Sequence, residues 1–132
     1  VGPEAHTAAV RGSGTVLVVD DEPVVRQVAV KALERSGFHV LVAESGRAAV
    51  DLFKRYPGEI ALVLLDLSMP EMSGEETLPE LRRIRPGVKV LVSSGYSEAE
   101  VMRLFNDGHV YGFIQKPYTS AALAEKVTAA LG

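Results

Sequence analysis

The sequence has no cysteine and no tryptophan. Without thiols there is neither a disulfide framework nor a thiolate zinc site. The lack of cysteine fits a reducing compartment, and a cytoplasmic location is expected. The three histidines, His6, His39 and His109, lie tens of residues apart and share no metal-ligand spacing. Positive charge is not in excess: 14 Lys and Arg face 17 Asp and Glu, for a formal net charge of −3. Binding nucleic acid needs a basic face that neutralises phosphates, so no nucleic-acid partner is expected. No apolar run approaches the roughly 20 residues of a membrane span. The first residues lack the basic segment and apolar core of a signal peptide, and no membrane contact is expected. What is present is 47% hydrophobic and 23% charged residues in a chain of 132, the balance of one globular domain.

Residues 1–14 are small, polar and without period, and read as a flexible linker or tail ahead of a single domain at 15–132. From Thr15 onward apolar runs alternate with helical periodicity. Val16–Val19 is a continuous apolar run that ends in Asp20-Asp21, the pattern of a strand covered on both faces. Asp21-Glu22-Pro23 opens a helix with Val24, Val25, Val28, Ala32 and Leu33 on one face, and Gly37 stops it. Phe38–Ala43 is a second strand, and Ser45 caps a helix carrying Ala49, Leu52 and Phe53. Ile60–Leu65 is the strongest apolar run and terminates in Asp66. After a loop from Met69 to Gly74, a third helix runs to about Ile84, with Pro79 predicting a late start or a kink. Val88–Val92 is a fourth strand; Ser97 and Glu100 have capping-box spacing and open a helix that stops at Gly108. Tyr111–Ile114 is a short fifth strand, and a last helix from Ser120 carries Leu123, Val127 and Leu131 on one face. Five βα units predict an α/β domain with a five-stranded parallel sheet covered on both sides. Right-handed crossovers leave few topologies, of which 2-1-3-4-5 is common.

In such sheets the working site lies at the carboxyl ends of the strands. Those ends carry Asp20 and Asp21, then Asp66, Ser94 and Lys116. Taken singly, an aspartate there caps a helix or starts a turn as often as it does chemistry. Taken together, three carboxylates with a hydroxyl and an ammonium beside them point to a site. Like charges this close require a cation or protonation. Hard oxygen donors without His or Cys point to Mg²⁺, which binds through a few carboxylates and bridges to phosphate oxygens. The resulting expectation is a metal-assisted phosphoryl-transfer site. A cis bond is expected between Lys116 and Pro117, because it would turn the lysine inward toward Asp66.

From about Val16 to Leu131 the chain resembles the receiver domain of two-component response regulators. The resemblance is carried by LVVDDEP (17–23), LVLLDLSMPEMSG (62–74), VLVSSGYSE (90–98) and FIQKPY (113–118). It implies a flavodoxin-like, doubly wound (βα)5 fold. By position Asp66 matches the phosphoacceptor, Asp21 a direct Mg²⁺ ligand, and Asp20 an acid acting on the metal through water. Ser68 would offer a backbone carbonyl to the metal, Lys116 would bind the phosphate, and Ser94 and Phe113 would form the switch. The implied phosphodonor is a phosphohistidine on a histidine kinase or phosphotransfer protein. The only catalysis implied is of the domain's own phosphorylation and dephosphorylation. The face made by the fourth helix, fifth strand and fifth helix is the implied docking and homodimer surface.

The residues leave some readings open. Phe113 is either a switch aromatic or a plain core residue. Tyr96 and Tyr118 flank the site as modulators or as rim residues. Arg82, Arg83 and Arg85 read as a solvated helix end. An aspartate-nucleophile phosphatase of the haloacid dehalogenase type would need an acid two residues after Asp66, where Ser68 stands. A flavodoxin-like cofactor binder would find its phosphate repelled by Asp20-Asp21-Glu22. A receiver used for docking alone would not need all five positions filled. The wording of SSGYSE and FIQKPY resembles receivers fused to hybrid sensor histidine kinases, with a free-standing single-domain response regulator as the alternative parent. The fifth helix reaches almost to Gly132, so no output domain is expected after it, and no ATP-binding segment is present to support kinase activity.

Overall fold

Segments that are apolar on both faces need cover on both sides, and here they form the middle layer of three. The computed structural model describes residues 14–105 and 110–131. Its strands are β1 (Thr15–Val19), β2 (His39–Ala43), β3 (Ile60–Asp66), β4 (Lys89–Ser94) and β5 (Gly112–Gln115). They are parallel and ordered β2-β1-β3-β4-β5, the order expected from the sequence. The helices between and after them are α1 (Pro23–Arg35), α2 (Gly46–Arg55), α3 (Gly74–Ile84), α4 (Glu98–Leu104) and α5 (Ser120–Leu131). The expected linker up to Ser13, with His6, lies outside the described residues, as do Gly108, the expected stop of the fourth helix, and His109. No helix among the described residues is long and apolar enough to cross a membrane.

Alternate side chains divide the sheet between two cores. Leu17, Val19, Val63, Leu65, Val92 and Phe113 pack with residues of α2, α3 and α4. Val16, Val18, Leu62, Leu64, Leu91 and Ile114 pack with residues of α1 and α5. Each such fully buried Val, Leu or Phe contributes about 1.5–3 kcal/mol of transfer free energy. On α1 the buried stripe is Ala29, Ala32 and Leu33, whereas Val24 is 72% exposed. This corrects the expectation of a five-residue apolar face: α1 is buried only from Ala29 onward, and its first turn is left open.

Most helix ends follow their local chemistry. Gly37, at φ +94°, ends α1: its N–H donates to the Glu34 carbonyl and that of Phe38 to the Leu33 carbonyl, a complete Schellman motif. The Ser45 hydroxyl accepts from the Ala48 N–H at 3.1 Å. Ser97 and Glu100 form the expected capping box, and the Ser97 N–H holds the Glu100 carboxyl below its usual range. Two expectations are corrected. First, of the late start or kink expected from Pro79, the late start does not occur: α3 begins at Gly74, where Ser73 and Glu76 form a second reciprocal capping box that nucleates it. Pro79 sits inside the helix on its exposed side, where water can satisfy the carbonyl it leaves unpaired. Second, Arg85 is no solvated helix end. Its guanidinium donates to the Pro57 and Ile60 carbonyls and lies 5.4 Å over the Phe53 ring, tying α3 to the turn before β3.

Gly74 brings the end of β3 and the start of α3 into direct contact. A Cβ there would fall 2.7 Å from the Asp66 carbonyl oxygen and 2.8 Å from Leu67 Cα. Both are backbone atoms and cannot swing away. Gly74→Ala is therefore expected to cost about 1–3 kcal/mol. Gly58→Ala, where the added methyl meets nothing within 4 Å, is expected to stay within about 0.5 kcal/mol of wild type. Urea denaturation of the two variants checks the contrast.

Candidate functional site

Strand register assembles the site. Val19 pairs with Leu65, so Asp20 and Asp66 are neighbours one step along β1 and β3. Asp66 pairs in turn with Ser93 on β4, and the Lys116 N–H donates to the Ser94 carbonyl at 2.8 Å, carrying the ladder past β5. The Lys116–Pro117 bond is cis, as expected. The Lys116 ammonium lies 3.0 Å from Asp20 Oδ2, 3.4 Å from Asp66 Oδ1 and 3.3 Å from Glu22 Oε1. Asp20 and Asp66 are buried, and Asp21 is partly exposed.

Backbone amides complete the pocket. The Ser68 N–H donates to Asp66 Oδ1 at 3.1 Å, and the Glu22 N–H donates to Asp20 Oδ1 at 2.9 Å. Glu22 is the N-cap residue of α1, but its side chain makes no cap bond, being turned to Lys116 instead. The helix opens at Asp21-Glu22-Pro23 as expected, with Glu22 as N-cap and Pro23 in the first turn, but without a side-chain cap bond.

Burial, and then the charge of Asp20, push the Asp66 carboxyl up to about 6; the Ser68 N–H and Lys116 offset part of that rise. Burial works against the Lys116 charge, yet the hydrogen bond to Asp20 and the charges of Asp66 and Asp20 hold it well above the usual lysine range. Burial and Asp20 also raise the Tyr118 phenol to about 12, so it stays protonated.

The carboxylates outnumber the single ammonium, which leaves the pocket anionic. Asp20, Asp21 and Asp66 each offer one oxygen, and the three oxygens lie within 4.8 Å of one another. All are hard donors, so the set fits a divalent cation such as Mg²⁺. Ser94 lies at the same edge of the sheet, fully buried, with its hydroxyl accepting from the Tyr96 N–H at 3.0 Å. Phe113 is 6% exposed and sits within the core under α2, α3 and α4. Its side chain is buried there, a placement compatible with both a core residue and a switch aromatic.

Two features escaped the sequence reading. The Glu22 carboxylate joins the pocket, a position signalled only by its place in the run Asp20-Asp21-Glu22. An open cavity of about 390 Å³ adjoins Lys116, lined by Val24, Val25, Val28, Pro117 and Tyr118 with Glu22 at its edge. His39 is exposed on β2 and has no part in the site.

A carboxyl raised by folding favours the folded state only while it is protonated. Its contribution is fully present below its unfolded value near 4 and is lost as pH rises through about 6. In EDTA, Asp66→Asn is therefore expected to gain on wild type between pH 4 and pH 7, by roughly 2 kcal/mol. Urea unfolding at several pH values measures the difference, and Mg²⁺ should shrink it by favouring the wild-type carboxylate.

Comparison with known proteins agrees with this geometry. Residues 16–128 match the response regulator receiver domain family. The sensor kinase CckA of Brucella abortus is 40% identical over 116 residues, which are 88% of this chain and 12% of that kinase. Response regulator RR06 of Streptococcus pneumoniae is 32% identical over 118 residues, 86% of this chain and 51% of the regulator. The chain thus spans about an eighth of the first relative and half of the second. The crystal structure of the receiver domain from the hybrid histidine kinase CckA aligns with a TM-score of 0.76 and 31% identity, covering 90% of this chain and all of that one. With its acid pocket at the carboxyl edge of a 2-1-3-4-5 sheet, this chain belongs to the response regulator receiver domain family.

Proposed function

We propose that this receiver domain accepts a phosphoryl group on Asp66 from a phosphohistidine and uses the product to reset a partner surface. The observation that carries the reading is a buried Asp66 carboxylate with Asp20 and Asp21 oxygens within 4.8 Å and the Lys116 ammonium at 3.4 Å. In the transfer, an Asp66 oxygen attacks phosphorus while the phosphorus–nitrogen bond of the donor breaks, and the imidazole leaves with the electron pair. The product is an acyl phosphate, a covalent intermediate within aspartate's ordinary repertoire. Negative charge spreads over the equatorial oxygens in the transition state, so positioning and neutralisation do most of the work. Lys116 supplies a fixed positive charge at the acceptor oxygen. The Ser68 N–H orients the carboxylate. Asp20, Asp21, Asp66 and the Ser68 carbonyl would hold Mg²⁺, which when bound neutralises the carboxylates and the phosphoryl oxygens. Water later attacks phosphorus, the bond from phosphorus to the Asp66 oxygen breaks, and inorganic phosphate leaves with the carboxylate restored, so the domain catalyses only its own phosphorylation and dephosphorylation.

The Ser94 hydroxyl is the proposed sensor. It accepts one bond from the Tyr96 N–H, which leaves its own proton for a phosphate oxygen. Movement of the loop after β4 would then shift α4 against Phe113, since Phe113 and Val101 of α4 share one core. The face of α4, β5 and α5 is the proposed output and homodimer surface; Leu104 and Tyr111 are half-exposed there. The domain is taken to occupy 15–132 and to act in the cytoplasm. A hybrid sensor histidine kinase is the preferred parent on the CckA likeness, with a free-standing response regulator as the alternative.

Incubation with acetyl phosphate and Mg²⁺ is expected to add one base-labile phosphoryl group, seen by mass spectrometry. None should appear with EDTA or in Asp66→Asn, and labelling elsewhere in that variant would refute the assignment. Ser94→Ala is expected to be phosphorylated like wild type yet to lose the phosphorylation-dependent change in amide exchange over α4 and β5. An unchanged exchange response in this variant would remove Ser94 from the switch.

A further inference from the structure

Lys116 carries three N–H donors, and three carboxylates lie within reach of it: Asp20 at 3.0 Å, Glu22 at 3.3 Å and Asp66 at 3.4 Å. A phosphoryl oxygen arriving at Asp66 has to take one of those donors over. Which carboxylate yields follows from burial. The Asp20 side chain is 3% exposed, and stripping a buried carboxylate of its cation is costly. Asp66 is the acceptor itself. The Glu22 side chain is 62% exposed, so water replaces its lost partner at little cost. Glu22 is also well placed to wait there, because its own N–H is anchored on Asp20 Oδ1 at 2.9 Å and Pro23 fixes the chain after it.

We propose that Glu22 is a positioning residue that holds the third donor of Lys116 in the resting pocket and surrenders it to the incoming phosphoryl group, so that it restrains phosphorylation of Asp66. The proposal rests on Asp66 being the acceptor. It names a brake rather than a further catalytic group: Glu22 touches Lys116 and not the reacting atoms. When acetyl phosphate is the donor, an Asp66 oxygen bonds to phosphorus, the phosphorus–oxygen bond to the acetyl group breaks, and acetate leaves with the electron pair. With Glu22 gone, the third donor of the ammonium is already free for a phosphoryl oxygen.

The test compares second-order rates of labelling by acetyl phosphate in Mg²⁺ for wild type, Glu22→Gln and Glu22→Asp. Aspartate keeps the charge but is one methylene shorter, so it loses the contact. Both variants are expected to be faster than wild type, by roughly two- to fivefold, the range of one exposed ion pair. The gain should vanish when either substitution is placed in a Lys116→Gln background, which a general structural effect would not produce. Acceleration in Glu22→Gln alone would mean simple charge repulsion of the donor and would overturn the proposal. Equal rates, or slower ones, in both variants would overturn it as well. Failure of wild type to be labelled on Asp66 would instead sink the acceptor reading, which separates the two failures.

Discussion

The site depends on one ammonium balancing more carboxylates than it can neutralise. Asp20 and Asp66 are both buried at the same sheet edge, and Lys116 lies between them. Its charge holds the two acids together, yet burial and mutual repulsion keep Asp66 reluctant to ionise. The pocket is therefore left short of positive charge, which a divalent ion can supply. A site of this kind is assembled but unsatisfied, and readiness to bind follows from that imbalance.

The sheet is what makes the imbalance possible. Parallel strands end on the same edge, and the order β2-β1-β3-β4-β5 sets β1 beside β3 in the centre. Asp20 and Asp66 become neighbours through a register fixed by Leu17, Val18, Val63 and Leu64 in the two cores. Apolar burial on both faces pins the polar ends where repulsion alone would part them. Lys116 is held by the continuation of the β4–β5 ladder, through its N–H to the Ser94 carbonyl.

Much of this was legible in the residues. Apolar runs, unbroken in the first and third strands and interrupted by His39 in the second and Gly112 in the fifth, marked the five strands, and a carboxylate or lysine near the end of a run marked Asp20, Asp66 and Lys116. Ser45 and the Ser97–Glu100 pair were readable as caps, because capping is local and needs no tertiary knowledge. The pair Ser73–Glu76 has the same capping-box spacing and was not read as a cap, the helix there being judged by Pro79 alone. Arg85 and Glu22 were not readable at all as partners of distant groups. Arg85 bonds to carbonyls 25 and 28 residues away, and Glu22 to a lysine 94 residues away. Such contacts are products of the fold, and no periodicity encodes them. Val24 was misplaced for a related reason, since helical spacing gives a face but not the point at which the helix meets the sheet.

The contact at Gly74 has a mechanical side. On the α3 flank the Asp66 backbone meets helix backbone with no room for even a methyl group, and the Gly74 N–H bonds to the Leu67 carbonyl. On the opposite flank, Ser94 leads into residues 95–100, all of them exposed, and α4 follows on a surface cap. The pocket thus has one close-packed wall and one exposed one. Under the proposed phosphorylation, a disturbance at Asp66 would meet close backbone contact toward α3 and open surface toward α4, so the fold itself would favour one direction for the signal.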